Sequence, residues 1–344
     1  MDAKKSAIVI LLITVLLLLA LETASYLSMT AFGSNTRFLV NFTAQNSIRG
    51  RGSYSRLDPH LGYAHGTDDE EVERIRANFT WIDGFIIYKK KGERLERPIV
   101  LTLGGSTTDG TLFGHSWPEE LALLLARKGI RGTLINGGTG GYSTSQELFK
   151  LIRDGLEFKP DIVISYSGVN DCGNMSKLPY PMVHKFQSTL FQAITSGSEP
   201  RLFPSTVMLL RSLLPGDNKR LSYTRGVRSS MSLAGQFKRN LELMNAVSRV
   251  NAAKFFGFIQ PCLNCKPENE PAANAHPFFK QVHAFYKKAL PLLTPLPFVK
   301  NATKVLDGET NVYQVDDVHL TQKGDKIVAE YVFDAIKPEI VNLQ

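Results

Sequence analysis

Pro98-Ile-Val-Leu-Thr-Leu-Gly-Gly-Ser106 is a short apolar run halted by two glycines, with a hydroxyl residue at its exit. Such a run reads as a buried strand ending in a tight turn. The pattern recurs downstream. Thr133-Leu-Ile-Asn136 runs into Gly137-Gly138, Asp161-Ile-Val-Ile-Ser-Tyr166 approaches Gly168, and Phe255 to Gln260 makes a fourth run. Between these lie stretches of helical periodicity, Trp117 to Lys128, Ser145 to Asp154 and about Ser232 to Ala253, and a last one runs from about Gln322 to Ala335. Strands alternating with helices predict an α/β fold with a central parallel sheet covered on both faces.

In such a sheet, ligands gather where the parallel strands end. Three loops therefore matter: Gly104-Gly-Ser-Thr-Thr108, Asn136-Gly-Gly-Thr-Gly-Gly-Tyr-Ser143 and Ser167-Gly-Val-Asn-Asp171. A fourth segment, Val315-Asp-Asp-Val-His-Leu-Thr321, precedes the last helix. Together they hold the parts of an acyl-transfer site. Ser106 is a candidate nucleophile, weak unless a base removes its proton. His319 is the candidate base, a residue type that titrates near neutrality. Asp316, three residues earlier, is placed to fix the imidazole tautomer. The amides of Ser106 and Gly141 and the side-chain amide of Asn170 are candidate donors to an oxyanion. Taken singly, each has a structural alternative: Ser106 as a helix cap, Asn170-Asp171 as a turn, Asp316-Asp317 as a cap.

With these four blocks in this order, the sequence resembles the SGNH (GDSL-like) hydrolases. The resemblance covers Gly104-Gly-Ser106-Thr, Asn136 to Gly141, Gly168-Val-Asn170-Asp171 and Asp316-x-x-His319. It implies a flavodoxin-like three-layer α/β/α sandwich and ester hydrolysis or acyl transfer. It also favours Gly141 over Gly138 and Gly140 as the glycine-block donor. One departure stands out: Gly105 occupies the position where the family usually has Asp. Two other readings fail. Gly138-Thr-Gly140 lacks a third glycine at Ser143 and does not follow the first strand of the fold, and no serine lies in the Gly-x-Ser-x-Gly elbow of α/β-hydrolases.

The chain has 344 residues, 43% hydrophobic and 21% charged, a globular composition that excludes collagen, coiled-coil arrays and wholesale disorder. Its three cysteines are too few for a disulfide scaffold or a Cys-rich zinc module. Cys262-Leu-Asn-Cys265 is read as a local disulfide or two idle thiols. No metal, cofactor or nucleic-acid motif is present, and the expected partner is an acylated carbohydrate or other ester. His60, His65, His115 and His184 have no partner motif and are read as structural.

An apolar run from Ala7 to Leu21 follows Lys4-Lys5. It spans about 22 Å as a helix, short of the roughly 30 Å hydrocarbon core. It is either a signal-peptide core or, continued through Glu22 toward Phe32, an anchor. A poor cleavage site favours the anchor, and the next basic residue, Arg37, favours a cytoplasmic N-terminus. The expected organisation is a signal-anchor segment over 1–34, an irregular or β extension over 35–97, and a hydrolase domain over 98–344. A basic insertion at 172–239 carries ten Lys/Arg against two acids, either a solvated excursion or a lid facing an anionic glycan or lipid headgroups. The function expected is removal of small acyl groups, acetyl foremost, from an extracytoplasmic glycan through an acyl-serine. Acyl transfer to a polysaccharide, lipid or lysophospholipid hydrolysis, and glycan binding without catalysis are the alternatives.

Overall fold

A computed structural model describes residues 3–31, 56–58, 60–65, 75, 77–111, 113–172, 206, 232–266, 268, 270–271 and 275–344. The chain divides into two compact units, Met1–Arg51 with Phe186–Val227, and Gly52–Lys185 with Arg228–Gln344.

The described part of the first unit is helix α1, Ala3–Ala31, and Thr206. No proline or glycine interrupts α1, and the hydroxyls of Thr14 and Thr23 donate back to the carbonyls four residues earlier. Glu22, the acid within this apolar stretch, accepts hydrogen bonds from the amide and hydroxyl of Thr206 at 2.9 and 2.8 Å. Among the described residues no helix is long and apolar enough to cross a membrane. The described side chains of α1 run unbroken only from Leu12 to Leu27.

The second unit is built on a seven-stranded sheet. A small antiparallel pair, β1 (Arg56–Asp58) and β2 (Gly62–Ala64), stands apart from it. The main sheet comprises β3 (Thr80–Ile82), β4 (Phe85–Ile87), β5 (Ile99–Gly104), β6 (Thr133–Asn136), β7 (Ile162–Ser167), β8 (Lys254–Ile259) and β9 (Val299–Asn301), in the order β3-β4-β6-β5-β7-β8-β9. Its five right-hand strands are parallel. The helices are α2 (Trp117–Arg127), α3 (Thr144–Arg153), α4 (Leu233–Val250), α5 (Pro277–Leu293) and α6 (Gln322–Asn342).

Period-2 alternation along the strands sorts the core into two layers. Leu101, Leu103, Ile135, Val163, Phe255 and Ile259 face α3, α4 and α5, where they meet Leu151, Phe237, Leu241, Met244, Val282 and Tyr286. Val100, Leu134, Ile162, Ile164, Phe256 and Phe258 face α2 and α6, against Trp117, Leu121, Val328, Val332 and Ile336. The result is the α/β/α sandwich expected, with one correction: the sheet is mixed, not wholly parallel. β3 pairs antiparallel with β4, and β4 with β6. The cause is local. Asp83 and Gly84 both have positive φ, 45° and 83°, the two-residue hairpin geometry that Asp-Gly favours. The hairpin tip therefore sits there, and at Lys90–Glu93 the chain makes a separate turn in which Glu93 N donates to Lys90 O. These short strands extend the main sheet at its β6 edge. Most of the basic segment 172–239 lies outside the described residues.

Within the parallel part, β5 leads to β6 on one side, and the chain then crosses to β7 on the other. The connections reverse direction around β5, so the loops after β5, β6 and β7 border the switch-point crevice.

Candidate active site

Ser106 leaves β5 on a single helical turn, in which the amides of Thr108 and Asp109 both donate to Gly105 O. The chain reaches this turn through Gly104, packed so closely that a Cβ there would lie 2.1 Å from Thr108 Oγ1 and 2.8 Å from Tyr166 O. No other residue fits. The turn presents the Ser106 side chain to a small cleft, lined with it by Thr107, Phe113, His115, His319 and Asp325.

His319 comes from the far end of the chain. Its Nε2 lies 2.7 Å from Ser106 Oγ, and its Nδ1 lies 2.5 Å from Asp316 Oδ2. The other Asp316 oxygen accepts the amides of Val318 and His319 at 3.1 and 2.9 Å. Partial burial raises the Asp316 pKa, but the hydrogen bonds from the His319 ring and those two amides outweigh it, holding the carboxyl below its ordinary value. An ionised Asp316 accepting from Nδ1 leaves Nε2 as the acceptor nitrogen of the ring, facing Ser106 Oγ. The Asp316 side chain is 46% exposed and that of His319 21%, so the carboxylate is solvated on one side.

The remaining predicted donors converge from two other loops. Asn170 follows β7, and its Nδ2 donates to Tyr142 O at 2.9 Å. A Cβ on Gly105 would come within 2.4 Å of that Nδ2 and 3.2 Å of Tyr142 O. The serine turn, the glycine loop and Asn170 are therefore in mutual contact, and a Cβ at Gly105 would displace the Asn170 amide from its present position. Of the three glycines weighed, Gly138 N is taken by Asn136 Oδ1 and Gly140 N by Asp109 Oδ2, each at 2.8 Å. Gly141, at φ 77°, is thus the one whose amide is bonded to no acceptor among the described residues, as is Ser106's. All five sequence-derived positions (Ser106, Gly141, Asn170, Asp316 and His319) meet at one crevice.

Cys262 and Cys265 are disulfide-bonded, and Cys172 is free and buried. The small ring touches the site. Leu263 N donates to Asp317 O at 3.0 Å, and Asn264 Nδ2 to Asp317 Oδ2 at 2.5 Å. Asp317 is the residue between the acid and the base, held at φ 60°, an unfavourable conformation for a non-glycine residue. The ring thus ties down the turn that sets the Asp316–His319 geometry. Replacing Asn264 by alanine should lower kcat about threefold to tenfold at unchanged KM, through looser alignment. Steady-state kinetics on a soluble ester check this; an unaltered kcat removes Asn264 from the support of the turn.

Sequence reasoning did not find Asp109. It accepts from Gly140 N and from the amide and hydroxyl of Thr111, and His65 Nε2 lies 3.4 Å from it. His65 is buried beneath the glycine loop. Nor did it find Glu147, fully inside, where it accepts from Ser165 Oγ at 2.6 Å and from Ser167 Oγ. Burial, with a contribution from the charge of Asp171, raises the Glu147 pKa from 4.5 to about 8. The folded chain then keeps a proton that the unfolded chain releases near pH 4.5, so stability falls as pH rises across that window. Asp171, itself raised to about 7 by burial, acts in the same sense. A Glu147→Gln variant should show a flatter fall in denaturation midpoint between pH 5 and 8 than the wild-type chain. An unchanged slope would mean that Glu147 is ionised in the fold.

The family model for the GDSL-like Lipase/Acylhydrolase family matches residues 102–327. No curated protein matches the chain. Among solved structures, an acetylxylan esterase from Geobacillus stearothermophilus, in a catalytic mutant form, is similar at 11% identity and a TM-score of 0.44, covering 71% of this chain and 95% of that one. The lipase/acylhydrolase from Enterococcus faecalis is similar at 17% identity and a TM-score of 0.42, covering 72% and 97%. The family match runs from inside β5 to the first turns of α6 and so takes in every one of the five site residues, over well more than half of the chain: this protein belongs to the GDSL-like lipase/acylhydrolase (SGNH) family and is a hydrolase of that type.

Proposed function

We propose that the protein is a serine esterase that removes acyl groups, acetyl foremost, from a glycan outside the cytoplasm. One observation carries the mechanism: the unbroken line from Ser106 Oγ to His319 Nε2 and from His319 Nδ1 to Asp316. Ser106 Oγ attacks the ester carbonyl as its proton passes to His319 Nε2, and Asp316 stabilises the imidazolium. The amides of Ser106 and Gly141 and the second N–H of Asn170 Nδ2 receive the negative charge on the carbonyl oxygen. His319 then protonates the departing alkoxide. Water, deprotonated by the same nitrogen, releases the acid from the acyl-serine.

The choice of a small acyl group is supported by the small size of the cleft, walled by Phe113, His115 and His319. The extracytoplasmic assignment is supported by Lys4-Lys5 ahead of the apolar run and by the disulfide, which persists in oxidising compartments. The test is labelling of the full chain with a fluorophosphonate, with the modified peptide identified by mass spectrometry, alongside hydrolysis of p-nitrophenyl acetate. Label on the Ser106 peptide together with turnover supports the reading. A folded chain that takes no label and turns nothing over overturns it.

A further inference from the structure

The cleft holds a second imidazole–carboxylate pair. His115 Nδ1 lies 2.6 Å from Asp325 Oδ2, and both residues line the same depression as Ser106 and His319. The two are 210 positions apart in the chain, which joins the loop before α2 to the first turn of α6. Asp325 is 2% exposed, whereas the His115 side chain is 23% exposed. With Nδ1 bonded to Asp325, Nε2 is the free end of the ring, and it has no hydrogen-bond partner among the described residues. Phe113 stands between the two imidazoles, its ring centroid 4.9 Å from that of His319 and 6.4 Å from that of His115. Phe113 is 43% exposed, an apolar surface beside the nucleophile.

The charges around His115 restrict what binds there. Asp325 approaches it from α6, Glu119 and Glu120 from α2, and the hydrogen bond to Asp325 raises the His115 pKa despite partial burial. Asp316 adds a further carboxylate across the cleft. Among the described residues, these four acids around His115 make a field that favours the protonated ring and disfavours an anionic ligand. A protonated His115 offers an N–H from Nε2 to an uncharged oxygen. A hydroxyl or ring oxygen next to the scissile ester suits that donor, and the C–H face of a sugar ring suits Phe113.

We propose that His115 and Phe113 form the subsite for the sugar unit that carries the ester, and that His115 is a specificity-determining residue selecting an uncharged sugar over an acidic one. This rests on the serine-esterase reading of the same cleft. The charge of the described residues around His115, not the net charge of the whole chain, carries this selection.

The experiment compares the full chain with its His115→Ala and His115→Gln variants on three probes: p-nitrophenyl acetate, an acetylated xylo-oligosaccharide and an acetylated oligogalacturonate. Wild type is expected to prefer the neutral oligosaccharide over the acidic one by about tenfold or more in kcat/KM. In His115→Ala the ratio of kcat/KM for acetylated xylo-oligosaccharide to that for p-nitrophenyl acetate should fall about tenfold, chiefly through KM, as one charge-assisted hydrogen bond is lost. His115→Gln, which keeps a side-chain N–H, should recover part of that ratio. An unchanged ratio in both variants, or a wild-type preference for the acidic oligosaccharide, overturns the subsite. Absence of fluorophosphonate label on the wild-type chain overturns the esterase reading itself, and the subsite with it.

Discussion

Replacing Ser106 by alanine should lower kcat for ester hydrolysis by roughly 10⁴- to 10⁶-fold, the cost of removing the proposed nucleophile from its triad, with little change in the denaturation midpoint. The size follows from the geometry. Ser106 Oγ is the one hydroxyl bonded to His319 Nε2, and His319 is oriented for it by Asp316, which in turn is held by two backbone amides. Removing the oxygen leaves the base with nothing to activate except water at a distance set for a side chain. Stability should hardly move, because the hydroxyl is partly exposed and the turn around it is tied by backbone bonds to Gly105 O. Fluorophosphonate labelling should vanish in the same variant. If Ser106→Ala retains more than about a hundredth of wild-type turnover, the acyl group is being carried elsewhere.

The site was more legible in the sequence than the scaffold around it, for a physical reason. The strands β5, β6, β7 and β8 are short runs buried on both faces, so they read as near-continuous apolar segments, the first three of them ending at glycine. Their exits carry the chemistry, and exits marked by Gly-Gly or Gly-x-Asn are easy to see. β9 is only three residues, Val299–Asn301, and half-buried, too short for alternation to register. α5 begins at a proline, contains Pro291 and mixes lysines with aromatics, which blurs its period although Val282, Tyr286, Ala289 and Leu293 form a buried stripe. The Asp83-Gly84 hairpin was encoded locally, yet only its pairing with β6 reveals the sheet as mixed. His115 carried no signal because its partner Asp325 is distant in the chain; a lone histidine before a helix reads as structural until the fold closes.

Asn170 gives the second large effect. Asn170→Ala should lower kcat by about 10²- to 10³-fold, the range for loss of one oxyanion donor, with KM within about threefold of wild type. KM is spared because the donor matters most when charge develops on the carbonyl oxygen, so its loss falls on the transition state. Alanine also strips Tyr142 O of its donor, and Tyr142 is 1% exposed, so part of any loss could come from movement of the neighbouring Gly141. Asn170→Asp, read together with the denaturation midpoint, separates the two causes. It matches the shape of asparagine, so it fits against Gly105, but it offers only acceptor oxygens and a negative charge where the oxyanion forms. Both variants leave Tyr142 O without its donor, so a loop-holding role shows as a lowered denaturation midpoint in both. A purely electrostatic role lowers kcat with the midpoint unchanged and makes Asp at least as damaging as Ala. A kcat within about threefold of wild type for either variant would take Asn170 out of the oxyanion site, leaving the amides of Ser106 and Gly141 to stabilise the charge alone.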